Sequence, residues 1–130
     1  MKKLCFTVLI FLLVQFTHSQ YSLLFCEDVT ADGKPVAVSN QFQVGDEGGA
    51  LKVLVRTDEK FYTDQLNFRI YYLGDGGTEE ELISLPQTLE ADWNFVWKEL
   101  QLFTPGVYRI KIYNSKSVYL TSANLTIRQR

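Results

Sequence analysis

The chain reads as all-β: a single antiparallel β-sandwich of seven or eight strands, preceded by an export signal. Three observations predict this. Short runs rich in β-branched and aromatic residues alternate with clusters of Gly, Pro, Asn and Asp, which punctuate strands. The runs recur at intervals of roughly ten residues, the spacing of a two-sheet sandwich. No apolar stripe of helical period persists long enough to specify a helix.

The N-terminus is the exception to the strand pattern. Lys2 and Lys3 precede an apolar run over 4–14 interrupted only by Thr7, and 15–19 turns polar and ends on Ser19. A basic head, a short apolar stretch and a small-residue exit define a secretory signal peptide. The run is too short for a bilayer, which takes about twenty apolar residues. Thr17 and Ser19 fill the small-residue positions, so cleavage is expected after Ser19, leaving one domain over 20–130. Phe25 precedes Cys26 where a lipoprotein signal needs a small residue, so no lipid or membrane anchor is expected in the mature chain.

The strands then follow in order. The first, 21–29, ends at Ala31-Asp32-Gly33-Lys34-Pro35, and a weaker one at 40–44 stops at Gly45-Asp46-Glu47-Gly48-Gly49. In 50–57, Leu51, Val53 and Val55 share one face, opposite Lys52 and Arg56, because successive strand side chains point to opposite sides. In 66–73, Leu66, Phe68, Ile70 and Tyr72 are expected inward, and Gly74-Asp75-Gly76-Gly77 ends the run. A short edge strand over 80–85 is closed by Pro86. After 94–103 and Thr104-Pro105-Gly106, residues 107–114 alternate sharply, with Tyr108, Ile110 and Ile112 inward and Arg109 and Lys111 outward. Asn114-Ser115-Lys116 turns the chain into 117–128, where Leu125 and Ile127 continue the buried face.

Pro105-Gly106-Val107-Tyr108-Arg109-Ile110-Lys111-Ile112 resembles the penultimate strand of immunoglobulin-like and fibronectin type III-like domains. There a G-x-Y-x-[VI] pattern carries the tyrosine corner, whose hydroxyl bonds nearby backbone. The resemblance implies an immunoglobulin-like sandwich across 20–130, without the paired inter-sheet cysteines of antibody domains. Such a fold does not imply a function.

Composition narrows the function classes. Cleavage leaves 111 of the 130 residues, with 11 basic against 15 acidic and a net charge near −4. An acidic chain without a basic stripe argues against nucleic acid. His18 and Cys5 leave with the signal, so the mature chain has no imidazole and a single cysteine. That removes the usual general base, the Ser–His and Cys–His pairs and the commonest metal ligand. No cofactor is expected. Cys26 cannot form an intramolecular disulfide and, in its apolar run, is expected to be buried and inert.

Individual motifs are weighed against plain structural roles. Asp28-Val29-Thr30-Ala31-Asp32-Gly33 imitates a calcium loop, but Ser39 stands where the bidentate acid belongs and Thr30 fills position three. A polar turn with Gly33 at positive φ accounts for it better. Glu79-Glu80-Glu81 is expected to keep an edge strand from pairing with other molecules. Gly74-Asp75-Gly76-Gly77 resembles one loop of chagasin-like cysteine-protease inhibitors, without the two companion loops of that family. Asn124-Leu125-Thr126 is a glycosylation sequon that a chance match explains equally well.

Trp93, Phe95 and Trp97 are the most suggestive group. Spaced by two, they share one strand face and would form a platform for sugar rings or a protein partner. Val96, Leu100 and Leu102 occupy the other face, so one apolar set fills the core. Trp93, beside Glu90-Ala91-Asp92, is expected to be exposed, and Trp97, mid-strand, to be core.

The leading expectation is therefore a secreted or periplasmic, non-enzymatic binding module presenting loops or a sheet face to a protein or glycan. The chain ends on its last strand, and the module is expected to act alone or as a subunit. A chagasin-like protease inhibitor is the alternative. A small enzyme using carboxylates alone is a further one, since glycosidases can work that way.

Overall fold

The computed structural model describes residues 21–102 and 104–130; the export signal and its cleavage site lie outside the described residues. Ten strands follow in order: β1 Ser22–Cys26, β2 Asp28–Val29, β3 Pro35–Val36, β4 Gln41–Val44, β5 Gly49–Arg56, β6 Gln65–Leu73, β7 Glu79–Thr88, β8 Phe95–Leu102, β9 Gly106–Asn114 and β10 Tyr119–Gln129. Eight of them build two sheets, in the orders β1-β5-β8 and β4-β10-β9-β6-β7, and β2 pairs with β3. The pairs are antiparallel except one. β4 runs parallel to the last four residues of β10, with Gln41 opposite Thr126.

The core lies between the sheets, where period-two alternation put it. Leu51, Val53 and Val55 of β5 meet Leu66, Phe68 and Ile70 of β6 and Tyr108, Ile110 and Ile112 of β9, each at most 3% exposed. Leu125 and Ile127 of β10 complete that wall. Every one of these side chains was expected inward. Tyr72 is only half-buried, packing against this core from its margin.

Three features differ from the sequence expectation. The predicted first strand breaks at Glu27, and its second part pairs with β3 as a small hairpin. Its turn is closed by the Gly33 amide donating to the Thr30 carbonyl at 3.0 Å and the Thr30 amide to the Lys34 carbonyl at 2.9 Å. Gly33 has φ +86, as the turn reading required. Second, β7 continues through Pro86 to Thr88. As the outer strand of its sheet it has an open side, where a missing N–H breaks no ladder bond.

Third, Leu54 is fully buried although it shares the outward parity of Lys52, and Cys26, buried as its apolar run led one to expect, lies on that same face. They stand apart from the inter-sheet core. The β2–β3 hairpin folds back over the outer face of the three-stranded sheet and covers it. Its Asp28 carboxylate reaches Lys52 Nζ at 2.6 Å, and Gly33 lies so close to Phe95 that a Cβ would sit 2.6 Å from the ring. Burying a leucine is worth about 1.5–3 kcal/mol, so this second, smaller apolar layer holds the hairpin down. Cys26 sits within it, donating to the Lys52 carbonyl at 3.7 Å, and burial pushes its thiol pKa up.

The tyrosine corner is present. The Tyr108 hydroxyl donates to the Thr104 carbonyl, four residues upstream, at 2.5 Å. The Tyr72 ring packs edge-on against Tyr108 at 5.2 Å between centroids. Gly106, at φ +150, makes this possible: a Cβ there would lie 2.6 Å from the Tyr72 ring. Ile110, two residues after Tyr108, is fully buried where antibody domains carry their second cysteine.

Candidate functional site

β7 and β8 are the outer strands of their respective sheets. Between them the sandwich opens into a cleft of ≈ 480 Å³, lined by Gln87 of β7, by Asp92, Trp93 and Asn94 of the preceding turn, and by Phe95, Val96 and Trp97 of β8. Such a volume is ordinary for small-ligand sites. The turn is held by its backbone. The Trp93 amide donates to the Glu90 carbonyl at 3.2 Å, while the Trp93 and Asn94 carbonyls accept from Phe61 and Thr57 at 3.3 and 3.0 Å.

The two apolar parities of β8 separate cleanly. Val96, Leu100 and Leu102 are buried in the core, at 7%, 5% and 9% exposure. Trp93 and Trp97 are exposed, at 37% and 39%. The expectation for Trp93 agrees with this, and that for Trp97 is corrected. Trp97 lies opposite Leu54 across the β5–β8 ladder, on the outer face. Interior space at that level goes to the smaller valine and leucines, and the indole stays outside. Phe95 shares the cleft but is half-buried, since its ring is covered by Gly33 of the hairpin. The aromatic row is thus two presented indoles with a packed phenyl ring between them.

Lys52 fixes Trp97. Its ammonium lies 4.2 Å from the indole centroid, over one ring face, and the Asp28 carboxylate holds that ammonium in turn. The Lys52 hydrogen bond keeps the Asp28 carboxyl below the usual carboxylate range, helped by the Val29 amide. Asp28 and Asp32, the acids of the calcium-like sequence, are thereby both engaged, Asp28 by Lys52 of β5 and Asp32 within the hairpin, where it accepts from the Thr30 hydroxyl and lies 3.7 Å from Lys34.

A wider opening of ≈ 990 Å³ lies on the opposite side, where β1 passes the first half of β10. One wall is the outer face of the five-stranded sheet, whose charged and aromatic side chains the sequence reading placed outward without grouping them. Glu79 Oε1 and Oε2 bind Arg109 at 2.5 Å and Lys111 at 2.9 Å. Arg69 lies 4.3 Å over Tyr113, and Lys111 4.7 Å over Tyr71. Arg109 Nε also donates to Asn124 Oδ1 at 2.9 Å, so the sequon asparagine is engaged by its neighbour. Lys111 and then Arg109 hold the Glu79 carboxyl low, and Glu79 holds the Lys111 ammonium high. Glu79 is therefore paired across the sheet face, whereas Glu80 and Glu81, exposed on the same outer strand, make no ion pair among the described residues. The one signal in the sequence was the i, i+2 pair Arg109 and Lys111, whose partners 30 or more residues away only the sheet register could supply.

Gly74-Asp75-Gly76-Gly77 forms a closed hairpin turn between β6 and β7. The Gly74 amide donates to the Thr78 carbonyl at 2.9 Å, and Gly76 and Gly77 take positive φ.

Neither a protein-family model nor a curated protein sequence matches the chain. Among solved structures it is similar to an immunoglobulin-like protein from Pseudomonas aeruginosa. The TM-score is 0.56 at 9% identity, over 85% of this chain and 95% of the other. That likeness, with the sheet order and the tyrosine corner, shows the fold to be an immunoglobulin-like β-sandwich. Fainter similarities are to a superoxide reductase (neelaredoxin) from Ignicoccus hospitalis, with TM-score 0.47, 11% identity, and 82% and 83% coverage. A CARDB domain from Pyrococcus furiosus in complex with di-metal ions follows, with TM-score 0.45, 13% identity, and 88% and 99% coverage. Scores this low bear on neither fold nor chemistry.

Proposed function

We propose that the chain is a non-enzymatic binding module, exported to the periplasm or medium after cleavage behind Ser19, and that residues 20–130 act as one ligand-presenting domain. The observation that carries this reading is the pair of exposed indoles, Trp93 and Trp97, flanking one cleft. Large aromatic surface left in water is costly, and aromatic anchors dominate recognition energetics when a partner covers them. The lysine stacked on Trp97 orders that ring before any ligand arrives, which lowers the entropy lost on binding. Export is supported by the basic head, the short apolar run and the Thr17/Ser19 exit. The non-enzymatic reading is supported by the loss of the only histidine with the signal and by the engagement of Asp28, Asp32 and Glu79 in ion pairs.

The test is a pair of variants. Trp93→Ala and Trp97→Ala are expected to keep the melting temperature within a few degrees, because both rings are exposed. Together they are expected to abolish capture on an array of immobilised glycans and envelope proteins. A doubly substituted protein that binds as the parent does overturns the proposal.

A further inference from the structure

Resting on that reading, we infer that the cleft between β7 and β8 takes a neutral, pyranose-based oligosaccharide rather than a protein or an acidic glycan. A pyranose ring has one apolar C–H face and a rim of hydroxyls that both donate and accept hydrogen bonds. Its binding site must therefore join aromatic faces to short polar side chains of mixed donor and acceptor character. The cleft has this composition. Trp93 and Trp97 supply the faces, and Gln87, Asp92 and Asn94 the polar groups.

Those polar groups have hydrogen-bonding capacity to spare. Gln87 commits one N–H to the Thr88 carbonyl at 2.8 Å, leaving its other N–H and its carbonyl oxygen. Among the described residues, the Asp92 carboxylate, the Asn94 carboxamide and the two indole N–H groups have no side-chain partner. A carboxamide donates and accepts, and a carboxylate accepts only. The set thus matches hydroxyls, which can serve either role.

Charge selects within the glycans. No lysine or arginine lines the cleft, and Asp92 does. Lys52, the cation nearest Trp97, stands over the indole face and is paired with Asp28. A uronate or sulfate would enter beside an uncompensated carboxylate, whereas a neutral sugar meets only an acceptor. Size selects against a protein, since a standard interface engages about 20–30 residues a side and seven residues line the cleft. The two indoles, four residues apart, are separated by at most about 14 Å of extended chain. Two indoles offer two stacking faces, so affinity should rise with oligosaccharide length.

The experiment follows tryptophan fluorescence and backbone amide shifts of the exported protein on titration with cellohexaose, xylohexaose, mannohexaose and an oligogalacturonate of equal length. At least one neutral hexamer is expected to saturate the signal, shifting amides at Asp92–Lys98 and Gln87, while its disaccharide binds more weakly and the oligogalacturonate does not bind. Trp97→Ala and Asn94→Ala are each expected to weaken binding by about tenfold. Trp97→Phe, which keeps a stacking ring and the fold, is expected to retain part of it. Absence of saturation by every neutral hexamer, or equal binding of the oligogalacturonate, overturns the inference. If the glycans fail while Trp93→Ala/Trp97→Ala abolishes capture of a protein partner, only the ligand class is wrong. If that double variant changes no capture at all, the binding-module reading falls with it.

Discussion

Leu54→Ala is the sharpest probe of how this domain is built. In the sequence, Leu54 alternates with Leu51-side core positions and shares its parity with Lys52 and Arg56, so a strand reading puts it in solvent. In the structure it is fully buried, beneath the β2–β3 hairpin. Truncation removes three side-chain carbons. At about 0.8 kcal/mol per buried carbon the transfer loss is about 2.4 kcal/mol. The cavity adds to it, giving about 2.5–4 kcal/mol in line with other buried leucines. The upper part of that range applies if the hairpin stays pinned by Asp28–Lys52 and cannot collapse onto the void. An exposed strand leucine would instead change stability by about 0.5 kcal/mol or less. Urea denaturation followed by tryptophan fluorescence measures the difference, with Leu51→Ala as the inter-sheet reference. A Leu54→Ala cost below about 1 kcal/mol, beside a normal Leu51→Ala cost, would refute the docked hairpin and the second apolar layer with it.

Three other outcomes are expected. Tyr108→Phe should cost about 1 kcal/mol or more, because it leaves the Thr104 carbonyl without its buried donor; a neutral result in denaturant removes the corner from the stability of the fold. Glu79→Gln breaks the pairs to Arg109 and Lys111, and its effect should depend on pH. Since folding lowers the Glu79 pKa and raises that of Lys111, the parent's advantage is full between the ordinary carboxylate and ammonium ranges. It should vanish as pH falls through and below the carboxylate range, so parent and variant should converge in acid melts; a gap that persists in acid contradicts the assignment. Finally, intact mass of the exported protein should correspond to a chain beginning at Gln20, and a mass retaining residues 1–19 or carrying lipid on Cys26 contradicts the cleavage reading.

Alternation along β5, β6, β9 and β10 was enough to name the inter-sheet core, from Leu51, Val53 and Val55 to Leu125 and Ile127. It suffices because the pleat forces each side chain to one face, and the opposite face of these strands is mostly polar or charged, Leu54 of β5 excepted. The tyrosine corner was equally legible, since its hydroxyl bonds a carbonyl four residues away and a short motif encodes the whole device. β8 was different. Both of its parities are apolar, so no local pattern could say whether Val96 or Trp97 turned inward, and the volume available between the sheets decided for Val96. Leu54 looks like a surface position until the hairpin folds across it, whereas the burial of Cys26 was legible in its apolar run. β4 looks like any weak strand until it finds β10 in parallel. Arg69, Arg109 and Lys111 meet Tyr113, Glu79 and Tyr71 only through register between strands far apart in the chain. Which face of a strand is apolar is a property of neighbouring residues and is written in their order. Which apolar face another segment covers is settled by competition among distant segments for the same surface, and that competition exists only in the folded chain.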